Sequence, residues 1–334
     1  MSEAGHPASA AAGPAAPVPS RRRFLLGDLA CDVLSTDDRY ARMLAGAYGT
    51  RLLAHDGEGT RPADLRIAIR DDPRATPGLQ TDRLTVRRSS GLCILEADPM
   101  TWEVRPDESP CRVSVAVRDP ALREDGLAYH FWILLNRTLL LVGRLTLHAA
   151  ALAYRGSVSL FAGPKGAGKS TIAVALGRAG AEILADDHVI ARRVRDHLGV
   201  SGCSGRLRVT AQTERQFLEG ALGPETLDVP GLPKKEFPAD RFYAARPHEE
   251  RVVDRLFLLR LGERFDVRPA HRRAALLRLL AETGATLRFH DRSDYAELLA
   301  ALADLVSRVP CYDLELSPRL ADLDRLREFL DGQT

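Results

Sequence analysis

The run Gly163-Pro164-Lys165-Gly166-Ala167-Gly168-Lys169-Ser170 fits the pattern G-x-x-x-x-G-K-[ST], and that pattern dictates what must flank it. Glycines let a backbone wrap closely around a phosphate, so that several N–H groups converge on its oxygens. Such a loop needs a buried strand to deliver the chain into it and a helix to leave it, the helix adding its positive dipole end. Both are present. Residues 158–162 form a short apolar run, and residues 170–178 carry apolar side chains at helical spacing. The pattern predicts a bound nucleoside triphosphate, contacted by Gly163, Pro164, Lys165, Gly166, Ala167, Gly168, Lys169, Ser170 and Thr171. Lys169 would reach the β- and γ-phosphates, and Ser170 would be a ligand of Mg²⁺. A glycine-rich turn between a strand and a helix shares the spacing, so the surrounding residues must decide.

The chain has 334 residues, enough for two domains, with 45% hydrophobic and 28% charged residues, ordinary values for a globular protein. Its net charge of +2, from 47 basic and 45 acidic residues, supplies no global field for nucleic acid. Cys31, Cys93, Cys111, Cys203 and Cys311 are odd in number and scattered, with no C-x-x-C pair. That speaks against zinc and a disulfide framework, and for a reduced, cytoplasmic setting. Residues 1–20 are rich in Ala, Pro, Ser and Gly and read as a disordered tail. The segment from Ser20 to Leu26 has the outline of a twin-arginine export signal. Asp28 and Asp32 interrupt the apolar region that should follow, leaving a basic edge to a first strand. The most apolar stretch, 131–147, holds Asn136, Arg137 and Arg144, and so reads as a core helix and a strand rather than a membrane span.

From 21 to 120 the pattern is one of short strands and turns. Residues 64–70 and 82–87 alternate apolar and charged side chains, 91–96 and 112–117 are further strands, and 40–48 is a short helix. A helix over 121–136 joins this region to closely spaced strands at 147–154, 157–162, 182–185 and 189–193, with another at 252–259. Residues 224–242, rich in Pro, Gly and charge, read as a mobile loop, and helices are expected at 272–283, 295–308 and 320–330. The expected division is a tail (1–20), a smaller strand-rich α+β domain (21–140) that binds a substrate or partner, and an α/β domain (141–334) containing the loop.

Three features near the loop carry chemistry. The apolar run 183–185 ends in Asp186-Asp187; a strand beside a phosphate loop delivers such carboxylates near Mg²⁺ and the γ-phosphate. One can hold the metal and the other accept the proton of an attacking hydroxyl; an Asp pair capping a turn would look the same. His148, just before the strand that precedes the loop, is a ready proton carrier, though a histidine in an apolar strand is also an ordinary core residue. Lys234-Lys235 sit in the 224–242 segment, where they could fold over phosphates as a lid or form a solvated charge pair.

In this order and at these separations, His148, the 163–170 loop and Ala185-Asp186-Asp187 resemble the C-terminal catalytic domain of HPr kinase/phosphorylase. The closer resemblance is to the broad HPr-kinase-like set that includes peptide-modifying serine kinases. The segments 147–151, 182–188, 206–209 and the Lys234-Lys235 loop look like that set, over about 145 to 320. Ala149 stands where the family has Gly, and Thr171 where true HPr kinases carry Glu. The resemblance implies an α/β fold with a P-loop kinase core of the HPr kinase / phosphoenolpyruvate carboxykinase type. It implies ATP and Mg²⁺ as cofactors, Asp186 as the catalytic base with His148 as its partner, and Lys169 as a catalytic cation. Ser170 and Asp187 would serve the metal and Lys235 the phosphates.

The implied reaction is transfer of a γ-phosphoryl group to a serine-type hydroxyl of a peptide or protein. A small-molecule alcohol or free amino acid as acceptor, or a nucleotide-dependent regulatory module with little turnover, are the alternatives. The expected partners are a nucleoside triphosphate and a peptide or protein acceptor, with no nucleic acid and no membrane. A homo-oligomer is implied by analogy with the family.

Overall fold

The computed structural model describes residues 19–48, 51–52, 62–72, 85–97, 100–118, 124–203, 205–218, 222–223, 226–229, 232–287, 292–317 and 319–332. The expected tail lies outside them, except for Pro19 and for Ser20, which opens the first strand. So do residues 82–84 and 121–123 of the expected strand and helix. The architecture is mixed α/β with several sheets.

Eight strands of the first half form one sheet. Alternation builds it: in Leu65–Asp71 the side chains of Leu65, Ile67 and Ile69 are buried while Arg66, Ala68 and Arg70 are exposed, as expected for a half-covered strand. Cys111–Val117 repeats the pattern beside it in parallel register. Glu124–Leu141 covers this sheet and is apolar nearly all round, the composition of a helix buried on several sides. Phe131 meets Trp102 edge to face at 4.7 Å, and Leu127, Leu134 and Leu139 are fully buried. One apolar core runs from Phe24 and Trp102 through this helix to Leu160 and Leu258, so packing is continuous across residue 140.

The second sheet has six strands, in the order Glu182–Ala185, Ala149–Tyr154, Ser157–Ala162, Arg255–Leu261, Cys311–Leu316 and Asp266–Pro269. Its central three strands are parallel. Ser157–Ala162 and Arg255–Leu261, buried on both faces over most of their length, read as nearly continuous apolar runs, whereas Cys311–Leu316 carries Asp313 and Glu315. Ala150, Leu152, Phe161, Phe257 and Leu259 face the helices Lys169–Arg178 and Leu320–Asp331, whereas Ala151, Leu160 and Leu258 face Arg272–Leu287 and Arg292–Arg308. Among the described residues no helix is long and apolar enough to cross a membrane.

Three expectations are corrected. The single strand over 147–154 is two: Arg144–Leu147 pairs with Val189–Val194 in a four-stranded sheet, Ala149–Tyr154 belongs to the six-stranded one, and His148 sits at the switch. The strand expected over 252–259 runs Arg255–Leu261, because Val252 pairs with Gly199 in the other sheet. The 224–242 segment contains an ordered strand, Lys234–Pro238, in register with Arg206–Thr210. Phe237 is buried in its core-facing position, and Glu236 receives both Arg206 and Arg208 at 2.6 Å. Composition pointed to a loop; one aromatic anchor and two ion pairs order it.

The strand that carries Asp186 is crossed closely by His197–Gly202. A Cβ on Gly202 would lie 2.1 Å from the Leu184 carbonyl oxygen, so only glycine fits there without moving backbone. Gly202→Ala is therefore expected to destabilise the fold by about 2 kcal/mol or more, as overpacking against a rigid partner does. Denaturant unfolding checks it, and an unchanged midpoint would show that the two strands can part freely.

Candidate active site

The helix Lys169–Arg178 starts at Gly168, whose φ of 98° places it in the left-handed region and leaves no side chain to cap the first amides. Those N–H groups open onto the loop. Lys169 is only 6% exposed, and its Nζ donates to the carbonyl oxygens of Gly163 at 2.7 Å and Pro164 at 3.1 Å. The lysine thus closes the loop on itself. Burial lowers its pKa, opposed by the charges of Asp187 and Asp186.

Glu182–Ala185 ends by delivering Asp186 and Asp187. Asp187 adopts a φ of 72°, so the chain turns sharply and the two carboxylates face different partners. Asp186, 4% exposed, accepts the Ser170 hydroxyl at 3.1 Å through Oδ1 and the Arg208 amide at 3.3 Å through Oδ2. Asp187 lies 2.6 Å from Arg208 Nη1, 3.3 Å from His148 Nδ1 and 3.6 Å from His188 Nε2. The sequence pairs His148 with Asp186; the structure pairs it with Asp187, because the left-handed turn points that carboxylate back toward the break between the two sheets.

These environments push the acids apart. Burial, reinforced by the negative charge of Asp187, raises Asp186 to about 6. Burial would raise Asp187 too, but His188, His148 and Arg208 outweigh it and hold that carboxyl at about 2. His148 is pushed down to about 4, chiefly by burial, and is neutral at pH 7. Burial also lowers His188, whose ring lies 4.3 Å from that of Trp132.

A cavity of about 300 Å³ connects these groups. Lys165, Gly166, Gly168, Lys169, Ser170 and Thr171 line it from the loop, and His148, Asp186 and Asp187 from the strand ends. Gly163 and Pro164 lie beneath, supplying carbonyls to Lys169, and Ala167 is buried under the turn. Lys235 is elsewhere: it bonds Glu214 at 3.0–3.1 Å, and its neighbour Lys234 lines the cavity. Strand alternation decides this, since register pairs Lys234 with Thr210, itself a cavity residue, and Lys235 with Val209. Thr210 also caps the helix Ala211–Phe217 by accepting the Thr213 amide at 3.2 Å, and Thr213 meets the Thr171 hydroxyl at 3.0 Å. Arg208, Thr210, Thr213 and His188 complete the site without having been singled out as site residues. The signal for Arg208 was a guanidinium between two apolar residues, Leu207 and Val209, in a strand.

Among the described residues no group of three or more His, Cys, Asp or Glu side chains converges as a metal cluster. Ser170 and Asp186 are nevertheless a pair of hard oxygen donors at the loop, the donor chemistry that suits Mg²⁺ with most of its shell from water and phosphate.

No protein-family model matches the chain, and no curated protein matches it. Among solved structures, it is similar to the HPr(Ser) kinase/phosphatase from Coxiella burnetii, at 11% identity and a TM-score of 0.29, over 57% of this chain and 99% of that one. A likeness at that level leaves the functional reading to the side chains themselves.

The raised pKa of Asp186 has a measurable cost. Its protonated form suits the buried site, so the associated stability is fully present below about pH 4 and lost as pH rises through 6. Asp186→Asn should therefore gain on the wild type by on the order of 1–3 kcal/mol between pH 5 and pH 8. Unfolding of both proteins in guanidinium at the two pH values measures this; a pH-independent difference would count against a strained carboxylate.

Proposed function

We propose that the protein is an ATP- and Mg²⁺-dependent kinase, with an HPr-kinase-like P-loop core, that transfers the γ-phosphoryl group to a serine-type hydroxyl of a peptide or protein. One observation carries the reading: a buried loop lysine, a Ser170–Asp186 oxygen pair and an Asp187–His148 pair all open onto a single cavity. Phosphoryl transfer proceeds through a loose transition state in which positioning and charge neutralisation supply most of the catalysis, and this is a site built for both.

The loop amides and Lys169 hold the β- and γ-phosphates, the ammonium exchanging its two carbonyl partners for phosphate oxygens. Ser170 and Asp186 would hold Mg²⁺, which would supply positive charge to offset that of the phosphates. The acceptor hydroxyl approaches Asp187. As its oxygen bonds to the γ-phosphorus, the bond from that phosphorus to the bridging oxygen breaks, ADP leaves, and the hydroxyl proton, made strongly acidic by the new phosphorus–oxygen bond, passes late in the step to the weakly basic Asp187 carboxylate. Neutral His148 orients that carboxylate from Nδ1, and Arg208 fixes it from the other side. This exchanges the roles read from the sequence. Asp186, which accepts the Ser170 hydroxyl, serves the metal, and Asp187, the carboxylate beside His148, meets the substrate.

The cavity, at about 300 Å³, lies at the small end of ligand pockets. Phosphates and metal fill such a space, so the hydroxyl comes from outside, which favours a peptide over an enclosed small alcohol. The region 21–140 is the surface proposed to present it.

Lys169→Ala should abolish ATP binding in calorimetry. With labelled ATP and a library of serine-containing peptides, mass spectrometry should find phosphate on serine. Asp187→Asn should slow transfer by at least about 100-fold at any Mg²⁺ concentration, the usual scale for removing a proton acceptor. Asp186→Asn should instead raise the Mg²⁺ needed for half-maximal rate. If the two variants exchange these behaviours, the roles revert to the opposite assignment; if the wild type transfers no phosphate to any peptide, the acceptor class is wrong.

A further inference from the structure

The chain uses lysine almost nowhere. Of its 47 Lys and Arg side chains only four are lysine: Lys165, Lys169, Lys234 and Lys235. Two lie in the glycine-rich loop, and the other two are neighbours on Lys234–Pro238, the strand that forms another wall of the same cavity. In a sequence that meets nearly every other need for a cation with arginine, this is a local preference. Lysine differs from arginine as a compact point charge with three freely rotating donors on a flexible stem, suited to following a group that changes geometry.

Of the two strand lysines, Lys235 is committed to Glu214. Lys234 is half-buried, lines the cavity, and makes no ion pair or side-chain hydrogen bond with any other described residue. Of the other cavity cations, Arg208 holds Asp187 and Glu236 and Lys169 holds two carbonyls, while Lys165 stands exposed on the loop, so Lys234 is the half-buried cation left to meet a ligand. A partly desolvated ammonium facing a phosphate-sized space needs an anion, and Asp186 and Asp187 are already engaged elsewhere.

We propose that Lys234 binds the terminal phosphoryl group of the triphosphate from the strand side of the cavity, so that this group is held between Lys169 and Lys234. The assignment rests on the kinase reading above and adds a residue specific to the third phosphate. Lys169 and the loop amides serve both β- and γ-phosphates; Lys234 discriminates ATP from ADP and follows the phosphoryl group as it moves toward the acceptor.

The test compares Mg·ATP and Mg·ADP binding by calorimetry in the wild type, Lys234→Ala and Lys234→Gln, with melting temperatures to confirm folding. Both variants should weaken ATP binding about tenfold or more, the scale of one charge-assisted hydrogen bond, and leave ADP binding within about twofold. Equal weakening of both nucleotides would place Lys234 on the β-phosphate or on the scaffold and overturn the proposal. Unchanged ATP binding in a folded variant would overturn it as well. A wild type that binds neither nucleotide would bring down the kinase reading itself, an outcome separate from these two.

Discussion

Two carboxylates on consecutive residues, both largely withdrawn from water, cannot be accommodated without neutralisation from opposite sides, and the site is arranged around that need. Asp186 and Asp187 stand at the end of one short strand, and the left-handed backbone at Asp187 turns them apart. Asp186 then falls to the helix side, against Ser170. Asp187 falls to the side of His148, His188 and Arg208. The unequal surroundings leave one acid raised and the other lowered, so a single dipeptide supplies two groups of different character.

The remaining architecture supports that division. The parallel strands Ser157–Ala162 and Arg255–Leu261 bring the glycine-rich loop to the same sheet edge as the acids. Gly202 lets a second sheet pass within contact of the Leu184 backbone. Arg208 links Asp187 to Glu236, and Glu236 belongs to the strand that carries Lys234 and Lys235. The wall bearing the lysines is therefore tied electrostatically to the acid it faces. Removing Glu236 would loosen both at once.

Much of this was legible in the chain. The loop, its entry strand Ser157–Ala162 and its exit helix stand where glycine spacing and apolar periodicity put them. The terminal helices and the alternating strands Leu65–Asp71 and Cys111–Val117 do as well, because each buries one face and shows it at a fixed period. What misled was composition. Pro, Gly and charge around 224–242 hid the strand Lys234–Pro238, whose order comes from Phe237 and from arginines 28 and 30 residues away along the chain. His148 was visible as a candidate but its partner was not, since the backbone reversal at Asp187 has no residue-type signature.

The sequence by itself determined that a glycine-rich loop joins a strand to a helix, and which acids, histidine and lysines could meet it, because those depend on residue type and spacing over a few tens of residues. Only the tertiary structure decided which partner each of two neighbours meets: Asp187 rather than Asp186 meets His148, and Lys234 rather than Lys235 lines the cavity. Adjacent residues on a strand or at its end point to opposite sides, and the side that becomes the cavity is set by what packs against the strand.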